Sequence, residues 1–482
     1  MPSRDFGTDS EAESSRSLFV TSETSTWQDI KAAVRGTQED YTRGPIGRAV
    51  LLLAVPMVLE TAMESLFAIV DVFFVSKLGP SAVATVALTE SILTLVFTVA
   101  LGLSIGVTAM VARRIGEKDP DGAARIAIQA ISLGILIAVL IGVTGTFFAE
   151  DLLILMGASE EVVSHSVYTK VMLGGNATLL LLFLINAAFR GAGDAVIAMR
   201  VLWIANGINI FLDPALIFGW GPFPELGIAG AAIATNIGRG TAVVTQFYLL
   251  FRASGRLQVR WRQVRVIPAL MWRLVRLSGT GMFQVFIGMA SWVGLVRILA
   301  GFGDEVLAGY AVGIRLIMFA LLPSWGMSNA AATMVGQNLG AGKPERAEAA
   351  VWRAGLYNMW FLGSIGLLFI VAAPWLVAFF TTAPEPLRWG INCLRIVSGG
   401  FLFYAYGMVL TQSFNGAGDV WTPTWINLFC FWGFELPFAW VMSHQLGWGP
   451  NGVFIAMTVS FSALAVVSAI VFRRGTWKLK SI

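Results

Sequence analysis

The 482 residues are 56% hydrophobic and only 13% charged, with a formal charge of +4, against about 45–50% and about 25% in ordinary soluble domains. An ordinary soluble enzyme is excluded, and 33 Lys and Arg spread over many connections make no dedicated nucleic-acid face. The apolar residues instead fall in stretches of about 20 to 30, long enough to cross about 30 Å of hydrocarbon as helices.

Residues 1–45 form a polar tail rich in Ser, Thr, Glu and Asp. It lacks an apolar core segment, so no cleavable signal peptide is expected, and the tail is read as disordered or loosely helical. Twelve apolar spans follow, near residues 49–76, 83–112, 124–148, 163–188, 196–218, 229–251, 278–300, 306–334, 350–380, 390–413, 421–443 and 452–472. The connections after even-numbered spans are basic, with Arg113, Arg114, Lys118 and Arg125, then Arg190 and Arg200, then Arg252, Arg256, Arg260, Arg262 and Arg265. Those on the opposite side carry Glu150, Asp151, Glu160, Glu161, Asp304, Glu305 and Glu385. This positive-inside asymmetry predicts a multi-pass plasma-membrane protein, the bacterial inner membrane in a bacterium, with both termini cytoplasmic. Cys393 and Cys430 lie in apolar stretches without metal-ligand spacing, so free thiols and no structural zinc are expected.

The chain repeats itself. Phe189-Arg190-Gly191-Ala192-Gly193-Asp194 recurs as Phe414-Asn415-Gly416-Ala417-Gly418-Asp419, and Gly116 with Pro120 recurs as Gly340 with Pro344. Six spans per half give both halves one orientation, a parallel repeat about an axis along the membrane normal. The expected organisation is a cytoplasmic tail over 1–45, a six-helix bundle over 46–252, a basic linker over 253–276 and a second six-helix bundle over 277–482. Asp194 and Asp419 follow tight glycine turns and are expected to cap the helices after them.

Glu60, Glu64 and Asp71 occupy a narrow face of the first span, at about 0°, 40° and 20° on a helical wheel. Asn206, Asn209 and Asp213 share a face of the fifth span, the second adds Glu90, and the sixth adds Thr235 and Asn236. Ionisable groups at this depth face a bundle interior or a water-filled cavity. Glu60, Glu64, Glu90 and Asn206 are candidate cavity or substrate residues. Two carboxylates, an amide oxygen and a hydroxyl suit a dehydrated Na⁺, and the same carboxyls could carry H⁺. The competing reading is that these acids only bond buried helices. The corresponding spans of the second half are nearly free of acids, Glu435 excepted, which leaves the acidic charge in the first half. With no HExxH, Cys/His cluster, GxSxG or Walker loop in the chain, an enzyme is not expected. His165 and His444 fall near span ends, as solvated or interfacial residues.

Residues 46 to 474 resemble the multidrug and toxin extrusion (MATE) family of antiporters. The resemblance rests on Pro56 with Asp71 and Lys77-Leu78-Gly79, Arg113-Arg114-Ile115-Gly116, the Phe189 to Asp194 turn, Asn209-Ile210-Phe211-Leu212-Asp213-Pro214, and Leu226 to Thr235. It implies an all-α fold of twelve transmembrane helices in two six-helix bundles set in a V. It also implies export of organic, cationic and hydrophobic compounds in exchange for Na⁺ or H⁺, with no other cofactor. Carried over by motif, Asp71, Asn209, Asp213 and Thr235 would form the coupling-cation site, and Pro56 the bend of the first span. The missing second-half acids make the chain resemble the DinF-like rather than the NorM-like branch. The expected partners are small organic molecules and membrane lipids, with the chain a monomer. A lipid-linked precursor flippase is the alternative, and it would call for a basic cavity.

Overall fold

A computed structural model describes residues 26–37, 39–252 and 255–482; residues 1–25 of the tail expected over 1–45 lie outside them. The described residues are helical, with no strand among them. An amphipathic helix, Thr26–Arg35, precedes twelve spans. These are α1 (Ile46–Val75), α2 (Pro80–Gly116), α3 (Pro120–Phe147), α4 (Ser166–Ala192), α5 (Ala195–Phe218) and α6 (Ile228–Phe251), then α7 (Pro268–Ala300), α8 (Asp304–Gly340) and α9 (Pro344–Ala378). The last three are α10 (Pro384–Ser398 with Phe401–Gly416), α11 (Trp421–Gln445) and α12 (Pro450–Arg473). Ten are apolar enough to cross a membrane outright, and α10 makes eleven if its two pieces, bent by 59°, count as one span. The remaining helix, α6, is diluted by Asn236, Arg239, Gln246 and its glycines and threonines.

Proline sets where the spans begin. It stands at the first turn of α2, α3, α7, α9, α10 and α12, where its missing N–H costs nothing and its φ is already helical. Hence α7 begins at Pro268, ahead of the apolar stretch that starts near 278. Span ten is not the straight rod its hydropathy predicts, because Gly399 and Gly400 interrupt it. Span eleven widens to π-helical turns over Leu428–Glu435 and Val441–Gln445.

The repeat reappears in backbone geometry. Gly193 and Gly418 share a left-handed φ, +87° and +83°, while Lys118 at +60° stands where the second half has Gly342 at +69°. Asp194 and Asp419 do not cap their helices. The Asp194 Oδ2 accepts the Arg256 backbone N–H at 2.6 Å, and Asp419 accepts the Thr422 hydroxyl and pairs with Lys480 at 3.1 Å. Both carboxyls tie down segments distant in sequence, a use that local spacing does not reveal.

The first helix of each half leans on the other half. Leu52, Leu53 and Met57 of α1 pack in one core cluster with Met327, Met334, Ala354 and Phe414. Leu274 of α7 joins the cluster built from α2 to α6. The halves touch through small residues: Gly326 meets the Met57 carbonyl, Gly102 meets Met282, Gly106 meets Ser278, and Gly116 meets Gln337. Thr333 and Gln337 donate to the carbonyls of Arg190 and Gly191 at 3.1 and 3.0 Å. All these contacts lie from mid-helix toward the end that carries the chain termini. Toward the far end Glu90 on α2 and Arg315 on α8 are both exposed, so the halves part there as a V.

The terminal segments lie across the closed end. Arg200 from the first half, Arg256 from the connection between the halves, and Lys343 and Arg346 from the second half donate to backbone carbonyls between Val34 and Gly44. At the other terminus Lys478 pairs with Glu345 and Glu348, Arg113 donates to the Lys480 carbonyl, and Trp477 is fully buried.

The connection from α6 to α7 is held in place by Gln129 of α3. This buried side chain donates to the Arg265 carbonyl at 2.7 Å and accepts the Ile267 N–H at 2.9 Å. Gln129→Leu leaves both backbone groups unpaired and is expected to cost about 1–3 kcal/mol. Thermal unfolding in detergent checks it, and an unchanged midpoint would show that water replaces the amide without loss.

Candidate functional site

α1 is continuous through Pro56, which withholds one N–H from its ladder. Beyond it the acids separate into two layers, because Glu60 and Asp71 share a face yet lie about 16 Å apart along the axis.

The layer nearer the closed end is built on Glu60, only 3% exposed. Its Oε1 accepts Asn186 Nδ2 at 3.1 Å and pairs with Arg190 Nη1 at 3.1 Å, while its Oε2 is buried without a partner. Gln246 on α6 orients Asn186 by donating to its Oδ1 at 2.6 Å. Glu64, Asn206, Arg239 and Phe67 complete the lining of a small cavity around this group. Two arginines therefore face two glutamates, and this small cavity holds both signs of charge. Arg190 is also not the connection residue that charge counting assigns. α4 continues to Ala192, and side chains on a helix point back toward its N-terminus, which carries the guanidinium inward.

The second layer joins α1, α5 and α6. Asp71, Asn209, Asp213 and Thr235 are all buried, Asp213 completely. Asn209 is the hub, and its Nδ2 lies 3.2 Å from both Asp213 Oδ1 and Thr235 Oγ1. Asp71 lies within electrostatic reach of Asp213. One oxygen on each of Asp71, Asn209 and Asp213 is buried with no hydrogen-bond partner among the described residues. Helix capping and buried bonding leave those three oxygens unexplained. They form a set of acceptors without donors, which suits a bound cation or proton. Arg239 stands between the layers, within electrostatic range of Glu64, Asp71 and Glu90, yet forms no ion pair with a described carboxylate.

Glu90 lies apart from the small cavity, exposed toward the cleft and within reach of the charges of Asp71 and Arg315. Asn206 is buried at the edge of the lower layer, its Nδ2 3.5 Å from the Met63 carbonyl. Four participants escaped the sequence reading: Asn186, Arg190, Gln246 and Tyr168, a buried tyrosine near both Asp71 and Asp213. The available signal was the 186/190 spacing, one helical turn that could answer a buried glutamate.

The second half has no such layers. Gln284 and Leu295 stand where the repeat maps Glu60 and Asp71, and its interior bonds are neutral, such as Ser324 to Asn358 at 2.9 Å. Glu435, 2% exposed, ends the longer π-helical stretch with its Oε1 unpartnered. His165 is half-buried and His444 exposed, while Cys393 and Cys430 are free and buried. Among the described residues no group of three or more His, Cys, Asp or Glu is placed to hold a metal ion.

A family model described as MatE matches the chain twice, over residues 56–215 and 278–441. A probable multidrug resistance protein NorM from Thermotoga maritima is 27% identical over 446 residues, 91% of this chain and 94% of its own. A FAD transporter from Shewanella oneidensis is 29% identical over 349 residues, 72% and 76% of the two chains. The fold also matches a crystal structure of MATE in complex with MaL6, with a TM-score of 0.86 at 24% identity over 92% of this chain and 100% of the other.

Proposed function

The chain belongs to the MatE family, a family of membrane transporters, and from that premise we propose that it is a secondary antiporter. It exports organic compounds, hydrophobic and cationic, in exchange for Na⁺ or H⁺. The observation that carries this reading is the trio of unpartnered buried oxygens on Asp71, Asn209 and Asp213. Left ionised and empty at that depth, two carboxylates are costly. Na⁺ or a proton there removes the cost, and Thr235 adds a neutral oxygen. Two carboxylates with neutral donors match a small monovalent cation better than a divalent one, which takes six to eight oxygens as Ca²⁺ or near-ideal octahedral geometry as Mg²⁺.

Coupling then follows from differential affinity. The ion favours one of the two arrangements of the halves, and the substrate favours the other. Glu60, Glu64, Glu90 and Asn206 line the path of the substrate, and a bend of α1 at Pro56 moves Glu60, Glu64 and Asp71 together relative to α4, α5 and α6. The basic connections at the closed end support cytoplasmic termini in a bacterial inner-membrane protein, and the chain is taken to act as a monomer.

The test is uptake of a fluorescent organic cation into inside-out proteoliposomes under separately imposed Na⁺ and H⁺ gradients. Flux is expected under one gradient, and Asp71→Asn is expected to reduce it to the level of protein-free vesicles. Flux that persists at full rate in Asp71→Asn would overturn the coupling assignment.

Arg190 and Arg239 favour a second reading, in which the cavity accepts a phosphate-bearing compound such as a lipid-linked precursor. The Shewanella oneidensis relative is named as a transporter of FAD, which carries two phosphates. Competition decides between the two. Inhibition of dye uptake by a second organic cation but not by a flavin dinucleotide supports the first, and the reverse pattern the second.

A further inference from the structure

An apolar groove lies away from both layers, on the outer surface of the first half. Its floor is Ile128, Ile131 and Ile135 of α3, one wall is Phe247 and Phe251 of α6, and the other is Trp261 and Val264 of the connection to α7. The walls are preformed. Trp261 stacks on Phe251 with ring centroids 4.6 Å apart, the Val259 N–H bonds the Leu250 carbonyl at 3.0 Å, and Gln129 pins the connection behind them.

The groove opens sideways. Its floor continues along α3 into Leu136, Val139 and Leu140, and its wall along α6 into Val244, all well exposed. That surface faces hydrocarbon, so whatever enters the groove arrives from the bilayer. The rim at the closed end is cationic. Arg252 lines it, its guanidinium over the Tyr248 ring and touching the Tyr248 hydroxyl, with no ion pair to any described carboxylate. From Arg252 to Arg276 the chain has seven arginines and no acid. Arg260, Arg262 and Arg265, which flank Trp261, are exposed.

An apolar trough in contact with hydrocarbon, ending under an unpaired guanidinium at the level of the helix ends, has the shape and charge of one kind of occupant. We propose that this groove binds one anionic phospholipid, with an acyl chain along Ile128, Ile131 and Ile135 and the phosphate held by Arg252. The rest of the arginine cluster supplies the field that excludes zwitterionic lipids from first place, since cationic pockets between helices at this level favour anionic head groups. Because the wall is the connection between the halves, the bound lipid fastens that connection to α3 and α6.

The test is native mass spectrometry of the full chain, delipidated in mild detergent and titrated with phosphatidylglycerol or phosphatidylcholine of matched acyl chains, or with inorganic phosphate. A single phosphatidylglycerol adduct is expected to form about fivefold more tightly than the phosphatidylcholine adduct, and inorganic phosphate is not expected to compete. Arg252→Gln should remove the preference, and Ile135→Trp, at a half-exposed position that leaves folding intact, should remove the adduct by filling the trough. Arg388→Gln, outside the groove, should change neither. Equal retention of the two lipids by the wild type, competition by phosphate alone, or phosphatidylglycerol retained undiminished in both groove variants would overturn the assignment.

Discussion

Arg190→Met is expected to lower the stability of the folded protein by about 3–5 kcal/mol, the usual cost of stripping a buried charge of its partner. Glu60 is buried on every side, and of its two oxygens only Oε1 has donors, Asn186 and Arg190. Methionine keeps the stem volume and removes the cation, so the carboxylate is left with one amide. Glu60→Gln in the same chain is expected to recover most of the loss, because a neutral amide needs no counter-charge. Glu60→Gln alone should cost less than Arg190→Met. The Arg190 side chain retains 13% exposure against 4% for Glu60 and can turn toward water. Thermal unfolding of the four proteins in one detergent gives the cycle directly. If the double variant is as unstable as the sum of the singles, the pair carries no coupling and the lower layer is not organised around it.

Gly326→Val is expected to force the closed end apart. A side chain at 326 runs into the carbonyl of Met57 and the amide of Val58, and backbone cannot step aside as a flexible side chain can. Overpacking of this kind costs about 1–3 kcal/mol or more, all of it charged to the closed arrangement if the two halves separate there in the other. The predicted result is a folded protein that has lost substrate flux. In it a cysteine placed at buried Ser278 should react with a water-soluble maleimide at least about tenfold faster than in the parent, a shift of about 1.4 kcal/mol in the opening equilibrium. The native Cys393 and Cys430 are buried and add little background. Unchanged labelling with normal flux would mean that α1 and α8 do not separate at this contact during turnover.

Much of the architecture was legible from residue pattern alone. Apolar run length gave the twelve spans, and the Phe189 and Phe414 turns gave the repeat. The wheel angles of Glu60, Glu64 and Asp71 placed them correctly on one face. What a wheel does not carry is the partner of each acid, Asn186 and Arg190 for Glu60 in one layer and the neighbouring Asp213 for Asp71 in the other. Arg190 was misplaced because counting charge near span ends treats each arginine as interfacial, whereas a long side chain on the last turn of α4 reaches back into the bundle. The roles of Asp194 and Asp419 depended on Arg256 and Lys480, about 60 residues away in each case, which turn geometry does not encode. The π-helical turns of α11 and the bend at Gly399 leave no mark in hydropathy.

The two strapped termini bear on the order of events. Arg200, Arg256, Lys343 and Arg346 clasp one terminal segment from both halves, and Lys478 and Lys480 anchor the other. These straps hold the arrangement in which the halves are closed at the end that carries the termini, as a latch holds a door on one side. If those termini are cytoplasmic, the resting molecule listens to the outside first. Under the proposed exchange, opening toward the termini requires both of these clasps to yield.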